Sequence, residues 1–231
     1  MTDRTKNPHR ELAMEFPRWR TRPVRIGNVV IGGDHPVVVQ SMITENTRDV
    51  DACVASIRRM HRAGCEIVRV TAPTLQDAHA IGRIRAELGR RGEPVALVAD
   101  VHHEGARIAI EVAMHVDKVR INPGLFVFRK RREGLEWTPE ECEAHRAQIE
   151  RELLPVLEAC AEHGTALRIG VNHGSLSDRM LTTYGDTPEG MVESALEFIR
   201  ICAAHDFREI VISLKASREP VMIQANRLMV R

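Results

Sequence analysis

The segment Lys118-Val-Arg-Ile-Asn-Pro-Gly124 most constrains what this chain can fold into, because it places a cation and an amide in a strand that otherwise reads as buried. Burying such groups is unfavourable unless something anionic faces them. Side chains alternate along a strand, so Val119 and Ile121 share one face and Arg120 and Asn122 the other. The same design recurs in Ile67–Thr71, Ala96–His102, Leu167–Asn172 and Ile210–Ser217. In each, one parity is apolar and the other carries polar groups towards the C-terminal end: Arg69 and Thr71, Asp100 and His102, Arg168 and Asn172, then Ser213, Lys215 and Ser217.

Bulk properties exclude several classes. A composition of 43% hydrophobic and 28% charged residues describes an ordinary globular chain. A net charge of +1 and 3% aromatic residues give neither the basic surface nor the stacking groups of a nucleic-acid binder. No apolar run reaches the length of a membrane span, and residues 1–22 lack a signal-peptide core, so a cytoplasmic protein is expected. Cys53, Cys65, Cys142, Cys160 and Cys202 are odd in number and form no C-x-x-C pair, which speaks against a disulfide framework and a local metal site. Four lysines against twenty-nine arginines suggest that Lys215, placed in a strand, is there for its compact, titratable ammonium.

In chain order, residues 1–22 read as a flexible extension and 23–231 as the folded domain. Val24–Gly33 alternates around Gly27-Asn28, a hairpin able to close the bottom of a barrel. Strands are predicted at 37–42, 67–71, 95–102, 118–122, 166–172 and 209–217. The intervening helices run from about Thr47, Leu75, Gly105, Pro139 and Pro188, and a last one starts near Pro220 and continues to the final residue. Pro155 should kink or split the long helix from Pro139 to His163. Residues 125–138, with Arg129, Lys130, Arg131 and Arg132, read either as a long loop at the functional end or as a solvated charge run. His103 and His173 read as ordinary loop residues, and Asn172–Ser177 as a turn rich in backbone donors.

Strand and helix alternate, so the expected fold is α/β, a (β/α)8 barrel truncated after six units and preceded by the hairpin. A doubly wound sheet would not turn the same parity polar near the end of five strands, and no G-x-G-x-x-G follows the first strand. The barrel mouth then collects Arg69, Arg120, Arg168 and Lys215 against Asp100 alone. Singly, Arg69 or Arg120 reads as an ion-pair partner of Asp100; as a set, the four cations ask for a polyanion, for which diphosphate has a suitable charge. Asn122, Asn172, Ser213 and Ser217 offer neutral hydrogen bonds, and His102 is the proton-transfer candidate.

Val39–Met42, Ala99–His102, Arg120–Gly124, Arg168–Asn172 with Gly174-Ser-Leu, Tyr184-Gly185, Val192–Ala195 and Ser213–Ser217 together resemble the hydroxymethylbutenyl diphosphate synthase family (GcpE/IspG) of the non-mevalonate isoprenoid pathway. Asn172–Arg179 and the closing Val221–Leu228 look more like its plant and chlamydial type. The resemblance implies a barrel that binds methylerythritol cyclodiphosphate through Arg69, Arg120, Arg168 and Lys215, aided by Asn122, Asn172, Ser213 and Ser217, with Asp100 and His102 nearby as the catalytic pair. It also implies a separate domain holding a [4Fe-4S] cluster, and ferredoxin or flavodoxin as electron donor. Leu125 departs from the asparagine usual after Asn-Pro-Gly. Nothing in the sequence supplies cluster ligands, so this piece is expected to bind substrate without turning it over. Two other readings are a dihydropteroate-synthase-like barrel and a non-catalytic module for phosphorylated ligands.

Overall fold

Each βα unit starts at a strand whose two faces are covered differently and ends in a helix. A computed structural model describes residues 19–102, 105–127 and 136–231. The elements are β1 (Val24–Ile26), β2 (Val29–Ile31), β3 (Gln40–Met42), α1 (Val50–Arg62), β4 (Ile67–Thr71), α2 (Leu75–Arg90), β5 (Ala96–Asp100), α3 (Gly105–Ala113), β6 (Lys118–Ile121), α4 (Pro123–Phe126), α5 (Pro139–His163), β7 (Ala166–Asn172), α6 (Asp178–Tyr184), α7 (Pro188–Ala204), β8 (Ile210–Lys215) and α8 (Glu219–Met229). The extension expected over residues 1–22 lies mostly outside the described residues, as do His103 and the basic run Arg129–Arg132.

Helix starts follow local chemistry. Thr74 and Thr138 form capping boxes with Asp77 and Glu141, and Thr187 caps Gly190 ahead of Pro188. Gly164 closes α5 at φ 65°, a left-handed conformation that glycine adopts without steric cost. The structure keeps α5 as one helix across Pro155. Its buried stripe of Ile149, Leu153, Val156, Leu157 and Cys160 runs unbroken past the proline, so packing outweighs the lost backbone bond.

Strands β3 to β8 form one six-stranded sheet in sequence order, every pair parallel, open between β3 and β8. One parity (Val68, Val70, Leu97, Ala99, Val119, Ile121, Leu167, Ile169, Val171) packs under the helices in the main core. The other faces the lumen, whose floor is a smaller core of Ile67, Ala96, Val98 and Ala166 sealed by Val24 and Ile26 of the β1–β2 hairpin. Gly27 alone has positive φ in that two-residue turn, the pattern of a type II′ hairpin. The first sheet strand begins at Gln40 rather than Val37, since Val37 and Val39 are exposed at the edge, and β5 stops at Asp100, leaving His102 on the loop above it. Helices α4 and α6, one and two turns long, were not predicted.

Candidate functional site

Parallel pairing sets the lumen side chains in tilted rows. One row runs Met42, Arg69, Val98, Lys118, Ala166; the next runs Thr71, Asp100, Arg120, Arg168, Val211. Above these, Gly170 pairs with Ser213 and Asn172 with Lys215. The lower row mixes Arg69 and Lys118 with apolar Val98 and Ala166, and the upper row is polar except for Val211, so the lumen turns polar from floor to mouth strand by strand.

Asp100 is held between two guanidinium groups. Its Oδ1 accepts from Arg120 at 2.8 Å, and its Oδ2 lies 3.5 Å from Arg69 Nε. Arg120 is 5% exposed and also donates to the Gly170 carbonyl at 3.0 Å. A Cβ at Gly170 would collide with the Arg120 side chain, so glycine there makes room for the guanidinium. His102 Nε2 stands 3.4 Å from Arg120 and 3.9 Å from Asp100. An arginine N–H only donates, so a hydrogen bond between these two groups needs Nε2 as its acceptor.

Arg168 is the guanidinium without a carboxylate. It donates to Ser213 Oγ at 2.8 Å, while its buried Nε has no hydrogen-bond partner. Burial, then repulsion by Arg69 and Arg120, lowers its pKa below the ordinary arginine value. Lys215 is exposed at the end of β8, and Ser217 lies exposed two residues beyond it. Among the described residues, Asp100 is the sole carboxylate that pairs with any of these cations. An anion carrying several acceptor oxygens fits the unpaired Arg168 Nε and the excess charge.

Asn122 plays a different local part. Its Oδ1 accepts from Gly124 N at 3.2 Å, capping α4, and its Nδ2 donates to Ser175 Oγ at 3.2 Å. Gly124 approaches the Ser175 carbonyl so closely that any side chain there would clash. The loops after β6 and β7 are thereby clamped together, and Gly174 N and His173 both reach Asp186. Asn172 ends β7 beside Lys215 in register.

Sequence reasoning left Lys118 out of the mouth. It is 1% exposed, on the lumen face, with Nζ 3.4 Å from Gln40 Oε1. Burial first, then Arg168 and Arg69, push its pKa down to about 7. Its parity with Arg120 was the available signal. A second buried polar group, Arg179 with His145 and Glu197, lies away from the lumen and is mutually satisfied.

The described residues bring together no set of side chains suited to an iron–sulfur cluster. Cys53, Cys65, Cys160 and Cys202 are buried, and among the described residues no three His, Cys, Asp or Glu side chains converge. Burial raises the Cys53 thiol to about 11 and those of Cys160 and Cys202 to about 12, opposite to what a thiolate ligand needs. Among the described residues no helix is long and apolar enough to cross a membrane.

Comparison with known proteins places the chain among relatives of one family and one fold. The chain is 60% identical over 215 residues to a protein of Microcystis aeruginosa named 4-hydroxy-3-methylbut-2-en-1-yl diphosphate synthase (ferredoxin), covering 93% of this chain and 53% of that protein. A protein of the same name from Rippkaea orientalis is 57% identical over 226 residues, 97% of this chain and 56% of the relative. The chain thus spans about half the length of the curated relatives it matches. A truncated 3-deoxy-D-arabino-heptulosonate 7-phosphate synthase from Thermotoga maritima superposes with a TM-score of 0.54 at 12% identity, over 90% of this chain and 65% of the other, a likeness of fold. The profile of one family, described as the GcpE TIM-barrel domain, matches residues 21–231, and the chain belongs to that family.

Proposed function

We propose that this chain is the substrate-binding barrel of a 4-hydroxy-3-methylbut-2-en-1-yl diphosphate synthase, holding 2-C-methyl-D-erythritol 2,4-cyclodiphosphate in the lumen mouth. The observation that carries this reading is the pairing of Arg69 and Arg120 with Asp100 beside Arg168, whose Nε is buried and unpaired, with Lys215 at the mouth end of the adjoining strand. Arg168, Ser213 and Lys215 grip the diphosphate; Asn172 and Ser217 add neutral contacts from the rim. Asp100 holds the Arg69 and Arg120 guanidinium groups at fixed spacing, and Asn122 fixes the loops that floor the ligand. His102, beside Arg120 and partly open to solvent, moves the proton.

In the whole protein the cyclic diphosphate is opened and dehydrated as two electrons are delivered. Those electrons come through a [4Fe-4S] cluster outside this chain's residues, with ferredoxin as donor, the donor printed in the relatives' names, or flavodoxin. The setting is cytoplasmic. The plant and chlamydial subtype rests on the Asn172–Arg179 and Val221–Leu228 segments.

Calorimetry on the chain with the cyclic diphosphate tests the binding claim. Binding that is lost in the Arg120→Ala, Lys215→Ala double variant supports the roles; undiminished affinity refutes them. The chain on its own, given reduced ferredoxin, is expected to bind the ligand and release no product.

A further inference from the structure

We propose that Lys118, on the lumen floor beneath the guanidinium groups, is a charge-compensating residue that takes up a proton when an anion fills the mouth, coupling binding to proton uptake. The proposal rests on the diphosphate reading above and goes beyond it, since Lys118 is not among the groups assigned to the ligand.

Three features place an uncharged amine there in the empty barrel. The side chain is 1% exposed and lies in the row of Arg69, one row below Arg120 and Arg168. Among the described residues its hydrogen-bond partner is a neutral amide, Gln40 Oε1 at 3.4 Å, whereas an ammonium has three donors to satisfy. The charged groups sharing the lumen give it no counter-ion. Strand β4 offers Arg69, β7 Arg168 and β8 Lys215, all positive; β3 offers neutral Gln40 and Met42; and the hairpin offers only Val24 and Ile26. Strand β5 carries Asp100, already spent on Arg120 and Arg69, with His102 beyond it facing Arg120.

These conditions hold the Lys118 pKa near 7 in the empty barrel, burial being the largest cause. A cyclic diphosphate brings two strongly acidic, permanently ionised phosphoryl groups. Its field is opposite in sign to that of Arg168 and Arg69, so the bound state favours the ammonium. Between the free and the bound midpoints the complex holds up to one more proton than the ligand-free barrel, so affinity falls as pH rises through that window. With the bound-state midpoint well above about pH 8.5, the drop approaches roughly eightfold between about pH 7.5 and about pH 8.5. Arginines stay protonated throughout and give no such slope.

The four lysines (Lys6, Lys118, Lys130, Lys215) make direct observation practical. The chain is labelled with 13C at lysine Cε, and the Lys118 signal is assigned by its loss in Lys118→Met. Its titration is followed with and without saturating cyclic diphosphate. The midpoint is expected to rise by more than about two units on binding. Calorimetry near about pH 8, in two buffers of different ionisation enthalpy, should show uptake of close to about one proton by the wild type and almost none by Lys118→Met. If that variant does not fold, Lys6→Arg, Lys130→Arg and Lys215→Arg assign the wild-type signal by elimination, and the wild-type titration decides. Ligand binding with an unmoved Lys118 midpoint overturns this proposal and leaves the diphosphate reading standing. No binding by the wild type overturns both.

Discussion

At the scale of single residues, two lumen positions make opposite demands. Lys118 is a destabilising group retained in a core. Between its folded pKa of about 7 and its ordinary 10.5, the unfolded chain holds a proton that the folded chain lacks, so stability rises with pH across that window. Lys118→Met should therefore stabilise the empty chain at about pH 7 by on the order of 3 kcal/mol, with the gain shrinking towards about pH 10. Urea unfolding of both proteins at several pH values checks this; a gain that does not vary with pH contradicts it. Gly170 is the complement, a missing side chain that admits a guanidinium. Gly170→Ala should leave the circular dichroism spectrum intact while weakening diphosphate binding by about tenfold or more, as Arg120 leaves Asp100 and the Gly170 carbonyl. The four rim cations were legible in the sequence because parity alone puts them on one face. Lys118 shares that parity, but its depth and the neutrality of its partner depend on Gln40, 78 positions away.

At the scale of elements, boundaries were readable where chemistry is local. Strands β4 and β7 start and stop where alternation says, and α2 and α7 start at their threonine caps. Helices α4 and α6 were invisible because one or two turns have no periodicity; α4 exists through the Asn122 cap and the contact with Ser175, 53 residues away. Removing the capping box with Thr74→Ala should cost about 1 kcal/mol in denaturant unfolding, with no change in ligand affinity. The hairpin behaves differently, because Ile26 is fully buried against the lumen floor. Ile26→Ala should cost about 2 to 4 kcal/mol, although the residue sits in a strand of three.

At the scale of the whole molecule, the sheet leaves β3 and β8 unpaired on their outer sides, with Val37, Val39, Ile212, Met222 and Ile223 exposed. Light scattering of the isolated chain should show association that grows with concentration and falls when Ile212 and Ile223 are both changed to lysine; a strictly monomeric wild type would contradict this. The strand order in space repeats the order in the chain, a property with a kinetic consequence. As a nascent polypeptide leaves the ribosome, each new βα unit meets a neighbour already made, so docking proceeds without waiting for distant segments. Arg69, Arg120 and Arg168 emerge well before Lys215, the last member of the rim. The hydrophobic interior is thus largely assembled before a charged metabolite finds its full grip, and the ligand rewards the finished sheet rather than guiding its early growth.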